Sequence, residues 1–106
     1  MKSITATELY RRLKAGEDIV LIDVRDHAER DICCLDNALH IPSDEIPDNV
    51  PKLAKNQMIV VFCHEGMRSF LVADYLEHHF GFTNVFNLVG GIDAWALQID
   101  TQMLRY

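Results

Sequence analysis

An α/β fold, with a central mostly parallel β-sheet and helices on both faces, is the architecture this chain predicts, and three observations carry that expectation. Residues 18–24 and 58–62 are almost continuously apolar and too short for ordinary helices, the pattern of strands buried on both sides. Helical patterns fall between the strand-like runs instead of after them, which is what parallel strands need for their crossovers. The second apolar run stops abruptly at Cys63, in a short segment before the next helical pattern. In open α/β sheets, sites form beyond the carboxyl ends of strands.

Taken in order, Thr5 and Glu8 have capping-box spacing, and residues 1–5 read as leading straight into a helix. Leu9 and Leu13 lie one turn apart among Arg11, Arg12 and Lys14, and Gly16 suits the stop. After the strand over 18–24, a helical turn is expected over 27–32 and a short strand over 38–41, ending before Pro42. Ser43 is expected to cap another short helix, whose length Pro47 and Pro51 limit. Beyond the strand over 58–62, a helix beginning at Ser69 carries Phe70, Ala73, Leu76 and Phe80 on overlapping faces. His78 and His79 occupy its last turn, where cations complement the dipole, and Gly81 ends it. Residues 84–88 predict a last strand. Ile92, Trp95, Ala96 and Ile99 then follow at the spacing of an amphipathic helix.

Bulk properties narrow the function classes. The 106 residues suffice for one core, which buries roughly two thirds of the unfolded surface. A formal net charge of −6 argues against nucleic acid and anionic membrane surfaces as partners. No apolar run approaches a membrane span, and residues 1–5 carry no signal-like apolar region. Of three cysteines two are adjacent, Cys33 and Cys34, a poor disulfide framework that favours a reducing, cytoplasmic setting. The pair reads as two small residues in a connector more readily than as a resolving thiol for Cys63. No Cys/His spacing suggests a metal, no cofactor is expected, and a monomer is the default at this size.

Cys63 is the candidate nucleophile. A thiol at the end of a buried strand, just before a helix, faces backbone N–H groups that have no intrahelical partner and a dipole that favours negative charge. The thiolate is the reactive form, and this position stabilises it. Gly66 permits the backbone to wrap the sulfur. Arg68 is the candidate charged partner, for a donor anion or for the loop itself, and Ser69 the candidate helix cap and hydrogen-bond donor to sulfur. His64 is a candidate base or a solvent-facing neighbour. Composition and periodicity go as far as a reactive thiol on an α/β scaffold.

The sulfur comes from a resemblance. Cys63-His64-Glu65-Gly66-Met67-Arg68-Ser69 resembles the active-site loop of rhodanese-type sulfurtransferases. Ile22-Asp23-Val24-Arg25 and Leu88-Val89-Gly90-Gly91-Ile92-Asp93-Ala94-Trp95 match two further signatures in order and spacing. The resemblance implies a single rhodanese-like domain over residues 1–106, with a core of about 5–98 and a short tail, 99–106. It implies sulfane sulfur carried as a persulfide on Cys63, with His64, Glu65, Gly66, Met67, Arg68 and Ser69 as substrate-binding residues. Asp23 and Arg25 would support the site, either by shaping the pocket or as an ion pair beside it. Expected partners are small sulfur donors such as thiosulfate or polysulfide and thiol or cyanide acceptors, with a sulfur-carrier or persulfide-donor protein as a further possibility.

Three features complicate that picture. Many family members carry Gly-His-Ile where this chain has Cys33-Cys34-Leu35, so a histidine expected there is absent. Glu65 at the pocket mouth would repel a dianion by about 1 kcal/mol per unit charge at 4 Å in water, making thiosulfate a mediocre donor. Trp95 and the Gly90-Gly91 turn read as structural, with little role in the site. A non-catalytic partner-binding module is the alternative from a different class. A cysteine phosphatase or arsenate reductase is disfavoured, because the four residues between Cys63 and Arg68 make a loop too short for a tetrahedral oxyanion.

Overall fold

The computed structural model describes residues 2–106. Its sheet holds β1 (Lys2–Ile4), β2 (Val20–Asp23), β3 (Leu39–His40), β4 (Ile59–Phe62) and β5 (Val85–Leu88) in the order β1-β5-β4-β2-β3, with every pairing parallel. The helices are α1 (Ala6–Lys14), α2 (His27–Ile32), α3 (Ile46–Asn49), α4 (Met67–Phe80) and α5 (Gly91–Gln98).

β4 is the middle strand, and all four of its residues are buried. Side chains alternate along a strand, so its neighbours divide between two cores. Ile59, Val61 and Cys63 join Ile22, Val72, Ala73 and Leu76 on the α4 side. Val60 and Phe62 join Ile4, Leu9, Leu88 and Ile92 on the side covered by α1 and α5. Each such aliphatic or aromatic side chain removed from water stabilises the fold by about 1.5–3 kcal/mol. The same parity turns Cys63 toward α4.

Several sequence expectations change. Lys2–Ile4 is a strand, not a lead into the helix; only Ile4 of its three residues is buried, too little to leave a pattern. Thr5 does cap α1, its Oγ1 accepting from Glu8 N–H at 3.2 Å, but the Glu8 carboxylate pairs with Arg12. The reciprocal box forms instead at α2, between Asp26 and Glu29. Ser43 caps nothing: it is the first residue of a 3-10 turn (Ser43–Glu45), and Pro47 and Pro51 sit at the starts of the next two short segments. α4 begins at Met67, with Gly66 at φ +110° as its N-cap, so Ser69 lies inside the first turn and is not the cap. Phe70 turns outward, 47% exposed, while Val72, Ala73 and Leu76 take the inner face.

Connections from β2 and β4 leave the sheet in opposite directions, since β2 leads to β3 at one edge and β4 to β5 on the other side. The crevice where adjacent strands diverge in this way is where open sheets hold ligands. β2 delivers Asp23 to that crevice and β4 delivers Cys63.

Candidate active site

Cys63 Sγ lies beneath the loop it starts, with the residue only 1% exposed. Two backbone amides donate to the sulfur, Gly66 N–H at 3.2 Å and Ser69 N–H at 3.4 Å, and Ser69 Oγ is 3.3 Å away. The loop can turn this tightly because Gly66 adopts a positive φ. The amides of Met67 and Arg68, first in α4, have no intrahelical acceptor and add to the positive end of the helix. Together these form an N–H cradle for negative sulfur.

A neutral wall holds the loop from inside. Asn87, on β5 and 7% exposed, donates from Nδ2 to the Gly66 carbonyl at 3.2 Å and accepts from the Ser69 hydroxyl at 2.6 Å. With the Ser69 proton committed to Asn87, a protonated Cys63 can donate to Ser69 Oγ, and an ionised Cys63 retains both amides. α5 docks from below: Ile92 N–H donates to the Cys63 carbonyl at 2.9 Å and Asp93 N–H to the His64 carbonyl at 3.1 Å. This approach requires Gly91, since a Cβ there would stand 2.4–2.6 Å from the carbonyl atoms of Cys63 and His64. The Gly90-Gly91 turn thus supports the loop directly. Trp95 packs edge-on against Tyr10, with ring centroids 6.2 Å apart.

Charge surrounds the loop outside. Arg68 does not reach for Cys63; its guanidinium grips the Glu29 carboxylate with both terminal nitrogens, at 2.5 and 2.9 Å. Glu29 also accepts from the Tyr106 hydroxyl at 2.7 Å. Tyr106 in turn accepts from Arg25 at 3.1 Å and stacks on the His64 ring, with centroids 3.9 Å apart and planes at 12°. Arg25 is fully buried and locked to Asp23 by two side-chain bonds of 2.9 and 2.7 Å, with a further bond to the Cys33 carbonyl at 2.7 Å. Asp23 and Arg25 are therefore a buried ion pair underpinning the outer wall, and they touch Cys63 through none of these bonds.

The network fixes the charge states. The hydrogen bond from Arg68 outweighs the cost of burial and brings the Glu29 carboxyl down to about 2, with Tyr106 helping. Burial is the main reason the Tyr106 phenol is pushed up to about 12, so it stays a donor to Glu29. For Arg25, burial lowers the guanidinium, but the bonds to Asp23 and Tyr106 outweigh it and the net direction is up. Arg68 is held above the usual range first by Glu29, with the Cys63 charge contributing more weakly.

The other predicted residues spread out. His64 is shielded, and its Nε2 is buried with no hydrogen-bond partner; its ring neighbours are Tyr106 and, at 3.9 Å from Nδ1, Glu65. The Glu65 side chain is 76% exposed and Met67 74%. Cys33 is half-buried and Cys34 exposed, and neither is among the Cys63 partners. Asn87, Glu29 and Tyr106 are not among the site residues that the sequence leads one to expect.

Comparison with known proteins identifies the family. The family model described as rhodanese-like domain matches residues 5–98. The chain belongs to the rhodanese-like domain family. A protein named sulfurtransferase from Allochromatium vinosum is 35% identical over 96 residues, 91% of this chain and 89% of that protein. YtwF of Bacillus subtilis is 37% identical over 95 residues, 90% of each chain. A rhodanese-like domain protein from Staphylococcus aureus superposes with a TM-score of 0.85 at 35% identity, covering 100% of this chain and 99% of that one. Among the described residues, no helix is long and apolar enough to cross a membrane.

Proposed function

We propose that this rhodanese-like domain is a sulfurtransferase carrying sulfane sulfur as a persulfide on Cys63. The relative named sulfurtransferase, alike over nearly its whole length, supports a rhodanese-type transfer activity. The observation that carries the reading is the pair of amides aimed at Cys63 Sγ from Gly66 and Ser69. Preorganised donors of this kind stabilise anionic sulfur without reorganisation at the moment of reaction.

In the first displacement the Cys63 thiolate attacks the outer sulfur of a donor R–S–S⁻. A new S–S bond forms, the donor bond breaks, and R–S⁻ leaves with the electron pair; from thiosulfate the leaving group is sulfite. In the second, an acceptor nucleophile takes the terminal sulfur of Cys63–S–S⁻ and the thiolate returns, cyanide becoming thiocyanate and a thiolate becoming a persulfide. Two displacements through a covalent intermediate give ping-pong kinetics. The free amides of Met67 and Arg68 supply further donors beside the growing chain of sulfur.

Phosphatase chemistry has little support, because Arg68 is turned to Glu29 and away from the loop interior. A purely binding role leaves the cradle around Cys63 without a purpose. The test is intact-protein mass after exposure to thiosulfate, polysulfide and a low-molecular-weight persulfide. The expected result is a one-sulfur adduct, lost on adding cyanide and absent from Cys63→Ala. No adduct from any donor on folded, reduced protein would overturn the reading.

A further inference from the structure

Arg68 is the cation of the Cys63 loop, and an oxyanionic donor such as thiosulfate would look to it for its sulfonate oxygens. That guanidinium is already taken. Glu29 comes from α2, 39 residues earlier, and faces it as a fork against a fork, the strongest geometry a carboxylate and an arginine adopt. The carboxylate is held in turn: Tyr106 donates to Oε2, and Asp26 N–H donates to Oε1 at 3.4 Å through the α2 capping box. Its side chain is only 16% exposed against 41% for Arg68, so water weakens the pair in part without dissolving it. Around the loop, Met67, Phe70, Leu71 and Val89 are 74, 47, 62 and 49% exposed, and their side chains offer nothing to a sulfonate.

We infer that Glu29, braced by Tyr106, is a specificity-determining residue that occupies Arg68 and so discriminates against oxyanionic sulfur donors, in favour of polysulfides and persulfides whose leaving group is a thiolate. An incoming sulfonate must displace a bidentate carboxylate that is already part of the fold. A donor that brings only sulfur and a thiolate leaving group need not disturb it. This inference rests on the persulfide reading of Cys63, but anion binding and sulfur transfer can be measured apart.

Calorimetric titration of thiosulfate into Cys63→Ser, with and without Glu29→Gln, reads binding where no sulfur can move. Gln keeps the capping acceptor but not the charge. The expected result is binding about tenfold tighter with Glu29→Gln, or measurable binding where the parent has none; a tenfold change corresponds to about 1.4 kcal/mol. Adding Arg68→Ala should erase the gain. Tyr106→Phe, which keeps the ring but removes the brace together with the acceptor for Arg25, should give a smaller gain in the same direction. With Cys63 intact, Glu29→Gln should raise the ratio of thiosulfate to glutathione persulfide kcat/KM by a similar factor, through the thiosulfate KM. Unchanged, weaker or undetectable binding in Glu29→Gln, or a gain that survives Arg68→Ala, would overturn the inference. Failure of the persulfide reading would show separately, as the absence of a mass adduct from every donor.

Discussion

The two sides of the Cys63 loop are built from opposite materials. Inside, the loop meets neutral groups shut off from water: the amide of Asn87, the hydroxyl of Ser69 and the first amides of α5, all within hydrogen-bond distance of loop atoms. Outside, it meets Glu29, Arg68, Tyr106 and, beneath them, Asp23 and Arg25, all charged except one phenol. Neutral buried groups fix atoms without placing a net charge beside the sulfur, and they tolerate no gap because an unpaired member is costly. Charged groups at the rim impose less geometry, but they decide which charges approach. Geometry belongs to the inner wall and selection to the outer.

If that division is right, the largest damage comes from the inner wall. Gly91→Ala drives a Cβ into the carbonyls of Cys63 and His64, and it forces a side chain into φ +60°. The backbone must move, so the expected loss is on the order of 3 kcal/mol or more, read from urea unfolding, together with loss of persulfide formation. Asn87→Ala is next. It strips the Gly66 carbonyl of its donor and Ser69 of its acceptor, costing about 1–3 kcal/mol. Released from that anchor, the loop amides drift from Sγ, and sulfur transfer should slow by roughly tenfold to a hundredfold. A variant that loses stability but transfers sulfur at the normal rate would reduce the inner wall to a scaffold.

How far each wall could be read in advance follows the same division, for a physical reason. Strand ends, helix caps and glycine turns act over a few residues, so Cys63, Gly66 and the helices around them leave local signals. The helix expected to begin at Ser69 begins at Met67, and the Ser69 hydroxyl, in place of capping, bridges Asn87 and Cys63. Glu29 meets Arg68 across 39 residues and Tyr106 across 77. No periodicity links such positions. They become neighbours only once β2 and β4 are paired and residues 99–106 fold back over His64. Asn87 was hidden differently, as one polar residue in a short strand whose register alone aims it at the loop.

The outer wall should respond to pH. The Glu29 carboxyl lies below its ordinary value of 4.5, at about 2, chiefly through the bond from Arg68. A depressed carboxyl stabilises the fold fully above its unfolded value and loses that contribution as pH falls through the folded one. The difference in stability between the wild type and Glu29→Gln is therefore expected at neutral pH, to shrink from about pH 4.5 and to vanish near pH 2. With Arg68 41% exposed, solvent reduces the effect to about 1–2 kcal/mol. Thermal unfolding of both proteins across that range checks it. A difference that persists at pH 2 would mean that Glu29 acts through packing and not through charge.

The smallest effect separates the two carboxylates near the loop. Glu65 is close to the nucleophile in sequence, which is why repulsion of thiosulfate is expected of it; Glu29 is remote in sequence. In space their circumstances reverse. The Glu65 side chain is 76% exposed and lies 3.9 Å from the His64 ring at Nδ1, whereas Glu29 is clasped by Arg68 and Tyr106. A carboxylate immersed in water and counterions contributes little at range, since screening spreads over about 8 Å at physiological salt. Glu65→Gln should thus leave the thiosulfate KM within about twofold at that ionic strength, a difference below roughly 0.5 kcal/mol. A shift as large as that of Glu29→Gln would return selection to simple repulsion at the mouth. A shift that appears only at low salt would identify Glu65 as a long-range contributor to the field and leave Glu29 as the contact that an oxyanion has to displace.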